Sequence, residues 1–367
     1  MKFELFDFQE TALAQLRDKV LMARTHASSQ YPQAISFSAA TGSGKTVMMA
    51  TLFEDILFGA TGFAAQPDAV ILWVSDMPEL NEQTRRRINQ ASPDKIGAQR
   101  MLTIDASFDQ ERLERGTIHF INVQKLGSDK RLTRQGDGRT WPIWQTLTNT
   151  AKTIPDRFYV VIDEAHRGMT GGKLAKEAQT LVQRFLLGHA ETGLVPMPLV
   201  IGVSATPKRF TDLLEHAPHT LHKVAVPVDA VRASGLLKDR IPIHHPKTPG
   251  HSEMSLLEEA ARTWVRMARA WEAYCSAEGE RQVWPVLVVQ VENGTEHQVS
   301  RTDLALALNV IEQAIGRSLQ EGEAVHAMHD CGDMDFGGRK VRRVEASRID
   351  EDKGIGLVFF KTSLSTG

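Results

Sequence analysis

The chain has 367 residues, 42% of them hydrophobic, which is ample for two packed domains. Its 43 Lys and Arg against 45 Asp and Glu leave a formal net charge of -2, which excludes a uniformly basic surface and confines any grip on nucleic acid to local patches. With only Cys275 and Cys331, no secretory signal in MKFELFDFQE and no apolar run near the roughly 18 residues of a membrane span, the chain reads as cytoplasmic, with no membrane contact.

The first element is a helix, QETALAQLRDKVLMAR, with Leu13, Leu16 and Val20 on one face. Short apolar runs then alternate with helical patterns. The strand-like runs are AISFSA (34–39), VILWVS (70–75), TIHFIN (117–122), FYVVID (158–163) and LVIGVS (199–204), and LAKEAQTLVQRFLL (174–187) reads as a helix. Continuous rather than alternating apolar strands, separated by helices, predict an α/β domain with a parallel sheet covered on both faces. Between about 222 and 252 the period is lost among prolines and histidines, which predicts an interdomain connection. The expected boundaries are 1–225 for the first domain, 226–252 for the connection and 253–367 for the second. In that second part Ser255 and Glu258 form a capping-box pair at the start of a helix bearing Leu257, Ala261, Trp264 and Trp271. A strand in VWPVLVVQV (283–291), a helix marked by Leu304, Leu308, Ile311, Ile315 and Leu319, and a strand in GLVFFK complete the pattern.

Two stretches carry chemistry. SAATGSGKT (38–46) follows a strand and precedes the helical TVMMATLFEDILF, the setting of a phosphate-binding loop. Through Thr41, Gly42, Ser43 and Gly44 the backbone can turn tightly enough for N–H groups to converge on phosphate oxygens at a helix N-terminus. Lys45 then reaches the β- and γ-phosphates and the Thr46 hydroxyl meets Mg²⁺. Ala39 stands where the common pattern has its leading Gly. The second stretch, YVVIDEAHRG, ends an apolar strand with two acids, which is costly without a purpose. Asp163 is assigned to Mg²⁺, and Glu164 to orienting and deprotonating the water that attacks the γ-phosphoryl group.

In order and separation, AATGSGKT, DEAH (163–166) and SATP (204–207) resemble motifs I, II and III of superfamily 2 helicases and translocases. The finer likeness is to the DEAD/DEAH-box group that includes the helicase subunit of type III restriction enzymes. FDFQETAL resembles its adenine-reading element, which places Gln9 at the adenine edge with Phe6 or Phe8 packing nearby. ILWVSDMPELNEQT resembles motif Ia, FINVQKL the segment before motif II, and PVLVVQVENGTEH the first strand of a second lobe. The resemblance implies two RecA-like lobes of the P-loop NTPase type, the second partial, with ATP and Mg²⁺ in the cleft and a nucleic-acid strand, DNA by preference, crossing both. His166, Ser204, Ala205 and Thr206 would couple nucleotide state to that track. Arg85 and Arg86 of RRRINQ, Gln124, and Lys173 of GGK are candidate nucleic-acid contacts, although a solvated helix face and an ordinary turn explain the basic groups equally well. A role in restriction or phage defence, alongside methyltransferase, specificity or nuclease subunits, is what this family implies. The terminal GLVFFKTSLSTG resembles the first half of motif V, so the expectation is a helicase core truncated inside its second lobe. The alternative function is a nucleotide- and nucleic-acid-binding scaffold or switch that hydrolyses little.

Three further stretches are set aside. EQAIGRSLQ (312–320) carries the Gln and Gly-Arg of motif VI, but it precedes the motif V segment, and Gln313 and Arg317 lie between the core-facing positions of an amphipathic helix. DFG (335–337) lacks a kinase catalytic loop before it. His326, His329 and Cys331 of HAMHDC have metal-ligand chemistry at loose spacing, with no second cluster.

Overall fold

The five apolar runs of the first part are strands, and they lie side by side in one sheet of the computed structural model. The structure describes residues 2–76, 78–127, 130–136, 138–163, 182–206, 208–214, 219–237, 241–243, 253–295, 299–328 and 331–361. The chain divides into two units, Met1–Ile241 and Pro242–Gly367.

In the first unit the strands are β1 (Gln33–Ser38), β2 (Val70–Ser75), β3 (Met101–Thr103), β4 (Thr117–Asn122), β5 (Phe158–Asp163), β6 (Leu199–Ser204) and β7 (Thr220–Ala225). They form a seven-stranded sheet in the order β3-β4-β2-β5-β6-β1-β7, and each pairing is parallel. The helices with both ends described are α1 (Asp7–His26), α2 (Lys45–Phe58), α3 (Pro78–Ala91), α4 (Ile143–Thr153), α5 (Lys208–Leu214) and α6 (Val228–Ala233); residues 182–187 of the run read as a helix are helical too, and 174–181 lie outside the described residues. Alternate side chains of each strand feed opposite cores, as the pleat requires. Tyr159 and Val161 of β5 join Ile35, Phe37 and Trp73 under α1 and α2, whereas Phe158, Val160 and Ile162 join Val70, Leu72 and Val200 under α4 and α5. This is the parallel α/β sheet that the apolar runs predicted, and it has the RecA-like form that the resemblance implied.

The loss of period seen from about 222 begins inside this sheet. β7 pairs only with β1 and is mostly exposed, so its sequence, TLHKVA, lacks the apolar run that marks the inner strands. α6 follows directly and buries a single side chain, Val231.

The second unit holds α7 (Glu253–Glu278), β8 (Leu287–Gln290), α8 (Leu304–Ile315), β9 (Ala324–His326), β10 (Met334–Asp335), β11 (Lys340–Arg343) and β12 (Leu357–Phe360). Its five-stranded sheet runs β10-β11-β9-β12-β8, parallel except for the β10–β11 hairpin. α7 starts ahead of the expected capping pair, and Glu258 is engaged by Arg262 one turn on. α8 stops at Ile315 because Gly316 takes a left-handed conformation (φ 73°), yet Leu319 beyond it stays buried in the same core.

Asp335, Phe336 and Gly337 form the hairpin turn: Asp335 accepts from the Gly338 N–H at 2.6 Å, and the Phe336 ring packs edge-on against Phe359 at 5.3 Å. His326 is fully buried, with Nε2 3.0 Å from the Gly332 carbonyl and Nδ1 accepting from the Met328 N–H at 3.4 Å. His329 lies outside the described residues, and among the described residues no cluster of three or more His, Cys, Asp or Glu side chains could hold a metal. Gln313 is exposed, and Arg317 grips Glu323 with two bonds of 2.8 and 2.5 Å. No described helix is long and apolar enough to cross a membrane.

Candidate nucleotide-binding site

Parallel strands bring their C-terminal ends to one edge, and ligands of open α/β sheets sit outside that edge. Ser38, Ser75, Asn122, Asp163 and Ser204 are the last residues of β1, β2, β4, β5 and β6. The register sets Ser38 level with Ser204 and Asp163 level with Val203 on the strand between them. At a strand spacing of about 4.8 Å, Asp163 therefore stands roughly 10 Å across the edge from the end of β1.

The chain leaves β1 through Ala39 to Gly44 and enters α2 at Lys45. Gly44 is the N-cap of α2 in a left-handed conformation (φ 82°), with Gly42 in the same region at φ 83°. No side chain caps α2, so its first N–H groups are available to an anion. Lys45 Nζ turns back toward the carbonyls of Ala39 (3.3 Å) and Ala40 (3.5 Å), and the Ser43 hydroxyl donates to Ala40 O at 2.7 Å.

Ion pairs on both sides hold α2 in place. Arg17 of α1 binds Asp55 at 2.7 Å, while the Ser92 hydroxyl and Lys95 ammonium donate to Glu54 at 2.6 and 2.8 Å. Burial opposes ionisation of Glu54, but Lys95 and Ser92 outweigh it and hold the carboxyl below its ordinary range; for Asp55 burial prevails over Arg17 and pushes it up. Neither pairing is legible in the sequence, because the partners lie 38 to 41 residues away, on α1 and in the turn after α3.

A backbone bond joins the phosphate loop to the SATP segment. The Ala39 N–H donates to Ser204 O at 3.2 Å, and the Ser204 hydroxyl accepts from the Thr206 N–H at 2.9 Å. Ala205 is half-buried and Thr206 exposed. The other end of the loop meets α1: Gln9 Nε2 donates to Ser43 O at 2.9 Å, and Gln9 Oε1 accepts from the Phe6 N–H at 3.1 Å. Phe8 is buried, whereas the Phe6 ring is exposed and stacks on it at 6.1 Å.

Asp163, half-buried, and Thr46 at the start of α2 offer a carboxylate and a hydroxyl, the hard oxygen donors that suit Mg²⁺. Glu164, His166 and Lys173 lie outside the described residues, as does the terminal stretch 362–367. Of the candidate nucleic-acid contacts, Gln124 is exposed in the short helical turn that follows β4, at the same edge of the sheet. Arg85 and Arg86 sit one after the other on α3 and both bind Glu82, at 3.0 and 3.2 Å. Burial works against the charge on Glu82, but the two guanidinium groups hold it below the usual carboxylate range. These two arginines are thus neutralised in part on their own helix.

A family model for the type III restriction enzyme res subunit matches residues 2–209. Among solved structures, the DUF1998 helicase MrfA bound to DNA is 14% identical, over 100% of this chain and 46% of that one, with a TM-score of 0.54. At that identity the likeness is one of fold, and the chain spans about half the MrfA length. S. cerevisiae Dbp5 bound to RNA and ADP BeF3 is 11% identical, over 99% of this chain and 75% of that one, with a TM-score of 0.42. No curated protein matches the chain.

Proposed function

Because this chain belongs to the family of the type III restriction enzyme res subunit, we propose that it is the ATP-driven core of a superfamily 2 helicase or translocase acting on DNA. The observation that carries the reading is the bond from Ala39 to Ser204, which ties a phosphate loop directly to the segment resembling motif III. A change in the loop on nucleotide binding or release would be felt at Ser204 and Thr206 without any intermediary.

In this reading the N–H groups of the loop and the Lys45 ammonium bind the β- and γ-phosphates, and Thr46 and Asp163 hold Mg²⁺, which neutralises charge on the phosphate oxygens. Glu164 takes the proton of the attacking water as its oxygen bonds to the γ-phosphorus; the bond to the β–γ bridging oxygen breaks, leaving ADP and inorganic phosphate. In this reading the exposed Gln124 meets the DNA, and Ser204, Ala205 and Thr206 couple the nucleotide state to it. Work in restriction or phage defence, with partner subunits, follows from the family and is part of the proposal.

The test is phosphate release from ATP by the full chain, with and without single-stranded DNA. DNA-stimulated release that falls at least about 100-fold in Lys45→Ala and in Glu164→Gln supports the reading. Unchanged turnover in either variant removes the site assignment. A second reading, a nucleotide-holding switch with little hydrolysis, is favoured by Arg317: it is held by Glu323 at the N-terminal end of β9, so it is no free arginine finger. Tight ATP binding without turnover would select that reading, since such a finger is worth about 10³–10⁵ in rate.

A further inference from the structure

Three donors converge on the carbonyl oxygen of Ala40. The Ser43 N–H reaches it at 3.2 Å, closing a turn through Thr41 and Gly42, and the positive φ of Gly42 (83°) is a conformation that glycine supplies at the third residue of a turn. The Ser43 hydroxyl donates to the same oxygen at 2.7 Å, and the Lys45 ammonium stands 3.5 Å from it. A carbonyl oxygen has two lone pairs, so the third donor is the weakly held one. At 3.5 Å Lys45 lies beyond the roughly 2.7–3.2 Å usual for an N–H···O bond, and its second bond, to Ala39 O, is 3.3 Å.

The Ser43 side chain is itself out of reach of a ligand. It is fully buried, 0% exposed, and its hydroxyl is turned into the loop. Lys45 is the group that has to move. Half-buried at the start of α2, it must give up both carbonyls before its ammonium can reach phosphate oxygens. A half-buried carbonyl left without a donor is costly, and that cost opposes the exchange. At Ala40 it does not arise, because both Ser43 donors stay in place.

We propose that Ser43 is a positioning residue: its hydroxyl saturates Ala40 O, keeps Lys45 loosely held there, and so lets the ammonium pass from the loop carbonyls to the β- and γ-phosphates. The inference rests on the nucleotide-site reading above and adds to it a side chain that touches no nucleotide.

The experiment is a double-mutant cycle on the full chain. ATP affinity is read from the rise in melting midpoint as ATP and Mg²⁺ are titrated to about 10 mM, a readout that still resolves weak binding. Ser43→Ala is expected to weaken ATP by about five- to tenfold. Ser43→Cys, which keeps the buried volume but has only a weak S–H donor, weakens it by a similar factor and serves where Ala disturbs folding. In the Lys45→Ala background neither substitution changes the affinity by more than about twofold, because no ammonium is left to exchange. A hydroxyl that only shaped the loop for its backbone N–H groups would cost the same factor with or without Lys45. That result overturns the inference and leaves the site reading intact. A Ser43→Ala chain that binds ATP as well as wild type does the same. No rise in midpoint with ATP in the wild-type chain overturns both.

Discussion

A Cβ added at Gly202 would stand 2.5 to 2.7 Å from three carbons of the Phe210 ring, closer than real Cβ contacts come. Gly202 is inside β6, two residues before Ser204, and Phe210 on α5 is 1% exposed, so the ring has no free space into which to retreat. The missing methyl is what lets α5 seat on the sheet just past the SATP segment. Gly202→Ala is expected to destabilise the first unit by about 1–3 kcal/mol, read as a lower thermal midpoint, and Gly202→Ala with Phe210→Leu to recover most of it. A midpoint equal to wild type in the single variant would show that the packing is looser than these distances state. Such close approaches are invisible in sequence, as is the Gln9–Ser43 bond, whose partners are 34 residues apart. The phosphate loop itself was legible because its chemistry is local: glycines, a lysine and a hydroxyl in nine consecutive residues between a strand and a helix.

The same contrast holds for elements. The five inner strands were visible as apolar runs because a parallel strand covered on both faces has no polar side to alternate with. β3, only three residues long, and β7, exposed at the edge, carry no such signature, and β10 and β11 owe their pairing to a turn rather than to an apolar run. One inner strand also hides an ionisable group. His119 of β4 is 1% exposed, its Nε2 2.9 Å from the Thr117 hydroxyl, and burial pushes its pKa down to about 4 from the ordinary 6.5. The native state therefore keeps this imidazole neutral while the unfolded chain takes up a proton below 6.5, so stability falls as pH drops from 6.5 toward 4 and this contribution levels off beneath that. At pH 5 the loss from His119 is about 2 kcal/mol. Denaturant midpoints measured at pH 7 and pH 5 should diverge less in His119→Gln than in wild type. An identical pH dependence in both would place the acid sensitivity elsewhere, with His219 (also about 4), His222 or His326, each of which burial shifts the same way.

On the scale of the whole molecule, the two units differ in how completely each encloses its sheet. In Met1–Ile241 the five inner strands of a seven-stranded parallel sheet are covered on both faces, and Gln9, the phosphate loop, Asp163 and Ser204 all belong to that unit. In Pro242–Gly367 one face packs under α7 and α8, while the other is a small cluster of Val325, Ala327, Ile355 and Val358 under the 344–349 segment. At its edge Val288 of β8 is 47% exposed. A core that excludes water on both faces unfolds as one cooperative body, and one that is partly open does so at lower cost. The full chain is therefore expected to melt in two steps, the earlier belonging to the second unit. Residues 1–241 alone should retain only the later step and bind ATP within about threefold of the full chain, a difference under roughly 0.7 kcal/mol. Calorimetry of both chains, with and without ATP and Mg²⁺, decides the matter, because a bound nucleotide raises only the melting step of the unit that holds it. If ATP raises the earlier step, or if 1–241 fails to bind while remaining folded, the nucleotide contacts are not confined to the first unit.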